Sequence, residues 1–160
     1  MNLGPMSSIL LGILEKNARY ADALDRFDLP AWKALFTPDA VYRVQARENF
    51  DRSLPLALMY LDGHGMMADR ITAIEKTLVF APRSTRHIIG APVFTHEPGS
   101  DVLARAPFSV FQVVGHAPPE ILAVGFYYDE WIESTNGLML KRRTAVYDNA
   151  LIPNSLVYPL

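Results

Sequence analysis

Asp25, Tyr42 and His87 are the residues of this sequence whose types could together run a proton transfer, with a carboxylate or imidazole as general base and a tyrosine hydroxyl as electrophilic donor. An apolar surrounding would raise the pKa of a carboxylic acid and let an Asp or a His work near neutral pH. The three stand far apart in the chain, so only a fold that gathers them makes them a site; otherwise they are separate structural or surface residues. Arg86 precedes His87 at the entry to a β-branched run. Such a pair, taken alone, is usually structural, because buried polar groups find partners.

Other chemistries lack a signature. The four histidines, His64, His87, His96 and His116, are spaced unlike any compact ligand set, so no metal site is expected in this chain. The sequence has no cysteine, which removes disulfides, thiolate zinc sites, iron–sulfur ligation through sulfur and a cysteine nucleophile. It has neither a glycine-rich phosphate loop after a strand nor a Gly-x-Ser-x-Gly elbow. Cofactor-binding residues are therefore not expected.

The chain has 160 residues, half of them apolar, enough to bury one self-sufficient core, and a single domain over 1–160 is expected. A net charge of −2 with interspersed signs gives no basic stripe, which disfavours nucleic acid and anionic membrane as partners. The apolar run from Ile9 to Leu14 is too short to span a bilayer and lacks a basic flank before it. A cytoplasmic location is the expectation.

The elements that must position these residues follow from periodicity and turn chemistry. Ser7 or Ser8 can cap a helix to about Arg26, with Leu10, Leu14, Ala21 and Leu24 along one stripe. Asp28 caps a short helix, Leu29 to Phe36, which Thr37-Pro38-Asp39 ends before a strand from Ala40 to Ala46. Arg47 to Pro55 reads as a loop, Leu56 to Leu61 has no clear type, and Asp62-Gly63-His64-Gly65 reads as a turn. A helix is predicted from Met66 to Leu78, with Met67, Ile71, Ile74 and Leu78 facing a core.

After Ala81-Pro82 the pattern changes to strands, about Arg86 to His96, Val102 to Val114, Glu120 to Glu133 and Leu138 to Leu151. Pro98-Gly99, Pro118-Pro119 and Asn136-Gly137 mark the connections of a meander. Pro92 and Pro107 cannot donate to a ladder, so they point to bulges or an edge in a strongly curved sheet. Three helical segments folded into that concavity give an α+β cone. Arg105, Phe126, Tyr127, Tyr128, Trp131, Arg142 and Arg143 crowd the last strands, and an oligomer that uses them as an interface is expected.

Two sets of residues carry a family resemblance. Tyr20-Ala21-Asp22-Ala23-Leu24-Asp25, Trp32, Leu35-Phe36-Thr37 and Asp39-Ala40-Val41-Tyr42-Arg43 resemble the opening of a nuclear transport factor 2-like (cystatin-like) domain. Ser84-Thr85-Arg86-His87-Ile88, Arg142-Arg143-Thr144 with Asp148, and the tail Leu156-Val157-Tyr158-Pro159-Leu160 resemble the small (beta) subunit of aromatic-ring-hydroxylating oxygenases. Met66 to Ile71 and the final Pro-Leu are most similar to small subunits acting on aromatic acids such as terephthalate or salicylate.

The resemblance implies a non-catalytic subunit. The Rieske 2Fe–2S cluster and mononuclear Fe(II) would belong to the large (alpha) subunit, and the small subunits would form a trimeric base in an α3β3 hexamer. Arg86, His87, Arg142, Arg143 and Asp148 would then serve structure or interface. The alternative is a free-standing isomerase, dehydratase or cyclase of the same fold using Asp25, Tyr42 and His87.

Overall fold

The computed structural model describes residues 4–77, 79–97, 99–135, 137–152 and 156–160. Helix α1, Pro5–Asp25, starts from an extended Gly4 with proline at its first position, where the missing N–H costs nothing. Its end is fixed by two backbone bonds, Phe27 N–H to the Leu24 carbonyl (3.1 Å) and Asp28 N–H to the Ala23 carbonyl (2.8 Å). This closure needs a left-handed residue, and Phe27 takes it (φ 58°), its ring packing 4.8 Å from that of Tyr158. Asp28 caps the next helix, α2 (Leu29–Lys33), by accepting from the Ala31 N–H at 3.1 Å.

Strand β1 (Phe36–Ala46) follows, then α3 (Arg47–Asp51), β2 (Met59–Asp62) and α4 (Gly63–Lys76). The second half is β3 (Arg83–Ile89), β4 (Val93–Thr95), β5 (Val102–Val114), β6 (Glu120–Ser134) and β7 (Gly137–Tyr147). They form one curved, unclosed sheet in the order β2-β1-β7-β6-β5-β3, with β4 also on β5. Every pairing is antiparallel except β1 with β7, which run parallel with Tyr42 opposite Arg143. The expected meander therefore covers β3 to β7, and the first strand enters the sheet beside the last.

β5 alternates buried and exposed residues over most of its length, so one face of the sheet meets the core and the other does not. Helices α1, α2 and α4 pack their apolar residues on that inner face, where Trp32 stands edge-on to Phe36 (5.2 Å) and Tyr42 (5.3 Å). Among the described helices, only α3 leans on the outer face, through Phe50 against Tyr128 at 4.5 Å. Pro107 sits inside β5 with its nitrogen toward the gap between β3 and β4, where no ladder bond is required of it. Its carbonyl accepts the Gly90 N–H at 2.8 Å, and a Cβ at Gly90 would lie 2.7 Å from the proline ring.

The expected helix stripe on α1 was one residue out of phase. Ile9, Ile13, Asn17, Tyr20, Ala23 and Leu24 are buried, whereas Leu14 is exposed. Thr37 to Asp39 does not precede the first strand but forms an irregularity within it, Arg47 to Asp51 is helix rather than loop, and Gly63 to Gly65 begins α4 rather than a turn. Leu78, Pro98 and Asn136, on which parts of a helix and two turns were expected, lie outside the described residues.

Candidate functional site

The end of α1 brings Asp25 against the middle of β3. Asp25 Oδ1 lies 2.6 Å from His87 Nδ1, and the His87 backbone N–H donates to both carboxylate oxygens at 3.1 Å. In a neutral imidazole whose Nδ1 donates to Asp25, Nε2 is the acceptor. That nitrogen is buried without a hydrogen-bond partner, in a side chain only 2% exposed. Beside it is a cavity of about 10 Å³, room for one water. An oriented imidazole with a free Nε2 is the geometry of a general base.

Tyr42 does not join this pair; its hydroxyl donates to the Leu160 carbonyl at 3.0 Å and accepts the Leu160 N–H at 2.9 Å. Tyr20, absent from the expected site, donates to the same carbonyl at 2.5 Å. Leu160 is fully buried, and Val157 and Pro159 are buried beside it. Arg70 on α4 holds the tail by donating to the carbonyls of Leu156 (2.9 Å) and Val157 (2.6 Å). Leu156 to Pro159 line the small cavity at His87. The interior of the cone is thus occupied by the chain's own last residues. Burial pushes the Tyr20 and Tyr42 phenols above their ordinary range, well above in the case of Tyr42.

A second buried group lies deeper. Arg143 donates from Nε (2.8 Å) and Nη2 (2.7 Å) to the two oxygens of Asp129, and from Nη2 to Asn17 Oδ1 at 2.6 Å. Its guanidinium lies 4.2 Å from the ring centroids of both Tyr20 and Tyr127. Both side chains of the ion pair are fully buried. Burial opposes the arginine's charge, but Asp129 and the two tyrosines outweigh it and hold the group cationic. Burial also pushes the Asp129 carboxyl up, against the pull of Arg143. Of this network the sequence pointed to Arg143 and Tyr127, though as interface residues; the polar Asn17 on α1 was the further signal available.

The remaining residues expected to serve structure or interface are exposed. Arg86 donates to the neighbouring Thr85 carbonyl at 2.6 Å and supports no buried carboxylate. Arg142 lies 3.8 Å from Glu130, and Asp148 accepts from Arg47 at 2.8 Å. Tyr127, Trp131 and Arg143, expected on an interface, are instead in the core: Tyr127, Asp129 and Trp131 share the inner face by regular alternation along β6, and the extra residue Lys141 in β7, opposite the Glu130–Trp131 step, keeps Leu140 and Arg143 both facing inward. Among the described residues, no group of three or more His, Asp or Glu side chains is placed to hold a metal ion, and no helix is long and apolar enough to cross a membrane.

Comparison with known proteins gives this arrangement a family. A family model described as a SnoaL-like domain matches residues 9–144. Among curated proteins, the chain is 29% identical over 144 residues to the beta 2 subunit of the terminal oxygenase component of terephthalate 1,2-dioxygenase from Comamonas, covering 90% of this chain and 94% of that one. It is 23% identical to the small subunit of anthranilate 1,2-dioxygenase from Burkholderia cepacia, covering 89% and 88%. A solved beta subunit assigned to an aromatic-ring-hydroxylating dioxygenase of Novosphingobium aromaticivorans is 38% identical, with a TM-score of 0.86 over 95% of this chain and 96% of that chain. The chain belongs to the SnoaL-like family and, within it, to the beta subunits of aromatic-ring-hydroxylating oxygenases.

Proposed function

We propose that this chain, one domain over 1–160, is the non-catalytic small subunit of a cytoplasmic Rieske-type oxygenase that hydroxylates an aromatic acid. The observation that carries the non-catalytic role is the occupied cone. Tyr42 is committed in both directions to Leu160, and the cavity that His87 borders with the tail has room of only about 10 Å³, so Asp25, Tyr42 and His87 are positioning residues for the fold. The substrate class is drawn from relatives named for terephthalate and anthranilate, both aromatic carboxylic acids.

The residues present do not fit a redox centre. The chain offers no thiolate for a 2Fe–2S cluster, and its described carboxylates and imidazoles do not converge. The cluster and the mononuclear iron are therefore assigned to a large subunit, on which three small subunits would sit as the trimeric base of an α3β3 hexamer. No step of the oxygenation is assigned to this chain.

The test is oxygen consumption and product formation from aromatic acids by the chain alone, by the large subunit alone and by the two co-expressed. Turnover is expected only with the large subunit present. A His87→Gln subunit should give normal turnover per assembled complex. A complex that assembles fully but turns over about a hundredfold more slowly would identify His87 as a general base and overturn the reading.

A further inference from the structure

We propose that the cavity between β3 and the chain's last residues is a hydration site, in which one buried water is held by His87 Nε2 and Thr85 Oγ1 beneath the tail. Thr85 and His87 border this space of about 10 Å³ from the strand, and residues 156–159 border it from the tail. His87 Nε2 and Thr85 Oγ1 are both buried and have no hydrogen-bond partner among the described residues. As whole residues they are 7% and 4% exposed, so bulk solvent does not satisfy them.

The strand brings the two atoms to one place. Thr85 and His87 are two positions apart on β3, so both side chains stand on the inner face of the sheet, their Cα atoms about 6.6 Å apart at the usual strand rise. A water making two bonds of about 2.9 Å spans polar atoms up to roughly 5.8 Å apart, so side chains inclined slightly toward each other are bridged by a single molecule. Asp25 fixes the imidazole through Nδ1 and holds the His87 backbone N–H as well, which sets the position of Nε2 in advance. The other side is closed by the tail, which Arg70 holds at the Leu156 and Val157 carbonyls.

The chemistry of the lining selects the occupant. Nε2 is an acceptor, so the ligand must donate a hydrogen to it, which a halide or a carboxylate does not have. An ammonium or metal cation would lie beside Arg83, which also borders the cavity, with no carboxylate among the described lining residues to balance it. A larger molecule does not fit. Water donates one hydrogen to His87 Nε2, accepts the Thr85 hydroxyl hydrogen, and keeps its second hydrogen for a tail carbonyl, whose oxygen has a second lone pair. Such a water would tie α1, β3 and the tail together through Asp25, His87 and Thr85. Every residue of the site belongs to this chain, so the site is independent of the subunit role.

The experiment is crystallography of the full chain at a resolution that shows ordered waters, for the wild type, Thr85→Val and Thr85→Ser, with urea denaturation of the wild type and Thr85→Val. The wild type and Thr85→Ser should each show one water within about 3.2 Å of both His87 Nε2 and the residue 85 hydroxyl. Thr85→Val keeps nearly the same shape without the hydroxyl; the water should be lost or displaced, and the unfolding equilibrium constant should rise about fivefold. A wild-type cavity without a water overturns the site. So does a Thr85 hydroxyl bonded instead to Oε1 of Gln112, the unpartnered acceptor opposite it on β5. A water that keeps its place in Thr85→Val removes Thr85 from the site, and a Thr85→Val chain as stable as wild type or more so marks the hydroxyl as an unpaired group; either result overturns the bridge.

Discussion

Asp25 and His87 are joined twice, once through the imidazole and once through the His87 backbone N–H, so a single carboxylate on α1 fixes both the ring and the strand that carries it. Replacing it tests a structural link before a chemical one. Asp25→Ala should leave the buried imidazole and a backbone donor unpaired and cost about 1–3 kcal/mol in urea denaturation. Turnover per assembled oxygenase should be unchanged. Loss of turnover without loss of stability would contradict this.

Leu160 occupies the centre of the cone between two tyrosine hydroxyls. Leu160→Ala keeps all three backbone bonds and removes only the side chain, leaving a cavity at a cost of about 2–5 kcal/mol. Tyr42→Phe removes a donor and an acceptor together and strips the Leu160 N–H of its partner. Thermal melting and proteolysis at the tail should both show the loss. If Leu160→Ala melts like wild type, the tail is not part of the core.

The buried Arg143–Asp129 pair makes a sharper test, because breaking it differs from removing it. Arg143→Met alone strands a fully buried carboxylate and should cost about 3–5 kcal/mol. Asp129→Leu combined with Arg143→Met should recover much of that loss, giving a large coupling energy in a double-mutant cycle. Additive losses would mean that the pair is not what holds Asn17, Tyr20 and Tyr127 together.

The outline of the fold was legible because it rests on local chemistry: Asp28 as a cap and alternation along β5. The phase of α1 was not. Asn17 lies in the buried stripe, and the partner that makes it tolerable, Arg143, is distant in sequence, so a reading by hydropathy shifts the stripe to Leu10 and Leu14. The five-residue α3 carries no periodicity and is held by Arg47 and Phe50 against Tyr128 and Asp148. Asp25 and His87 could be named as candidates but not joined without the fold. Tyr42 was named for the wrong partner, since what it binds is the apolar tail; the run Leu156 to Leu160 was the available signal.

Gly125 on β6 leaves no room for a side chain. A Cβ there would run into the Val146 carbonyl and lie 3.0 Å from Cα of Tyr147 on β7. Gly125→Ala should therefore push the two strands apart and destabilise by about 1–3 kcal/mol. Weakened hydrogen-exchange protection at Val146 and Tyr147 is the local readout. Intact protection in those amides would rule the clash out.

Alkaline pH should unfold this protein through Tyr20, Tyr42 and Tyr127. Burial raises all three phenols, well above the ordinary range for Tyr42 and Tyr127, with neighbouring tyrosines adding to it there. Free tyrosine ionises near pH 10, so above about pH 10 the unfolded chain loses protons that the folded chain keeps. The folded state then binds more protons, and stability must fall as pH rises from that point toward the folded values. Urea midpoints should be flat through neutral pH and decline beyond about pH 10, with tyrosinate absorbance from the buried rings appearing only as the protein unfolds. Tyr127→Phe should make the decline shallower, because its buried hydroxyl has no hydrogen-bond partner and contributes mainly the cost of ionisation. All seven tyrosines titrating near pH 10 in a protein that stays folded would show that these three hydroxyls are open to water.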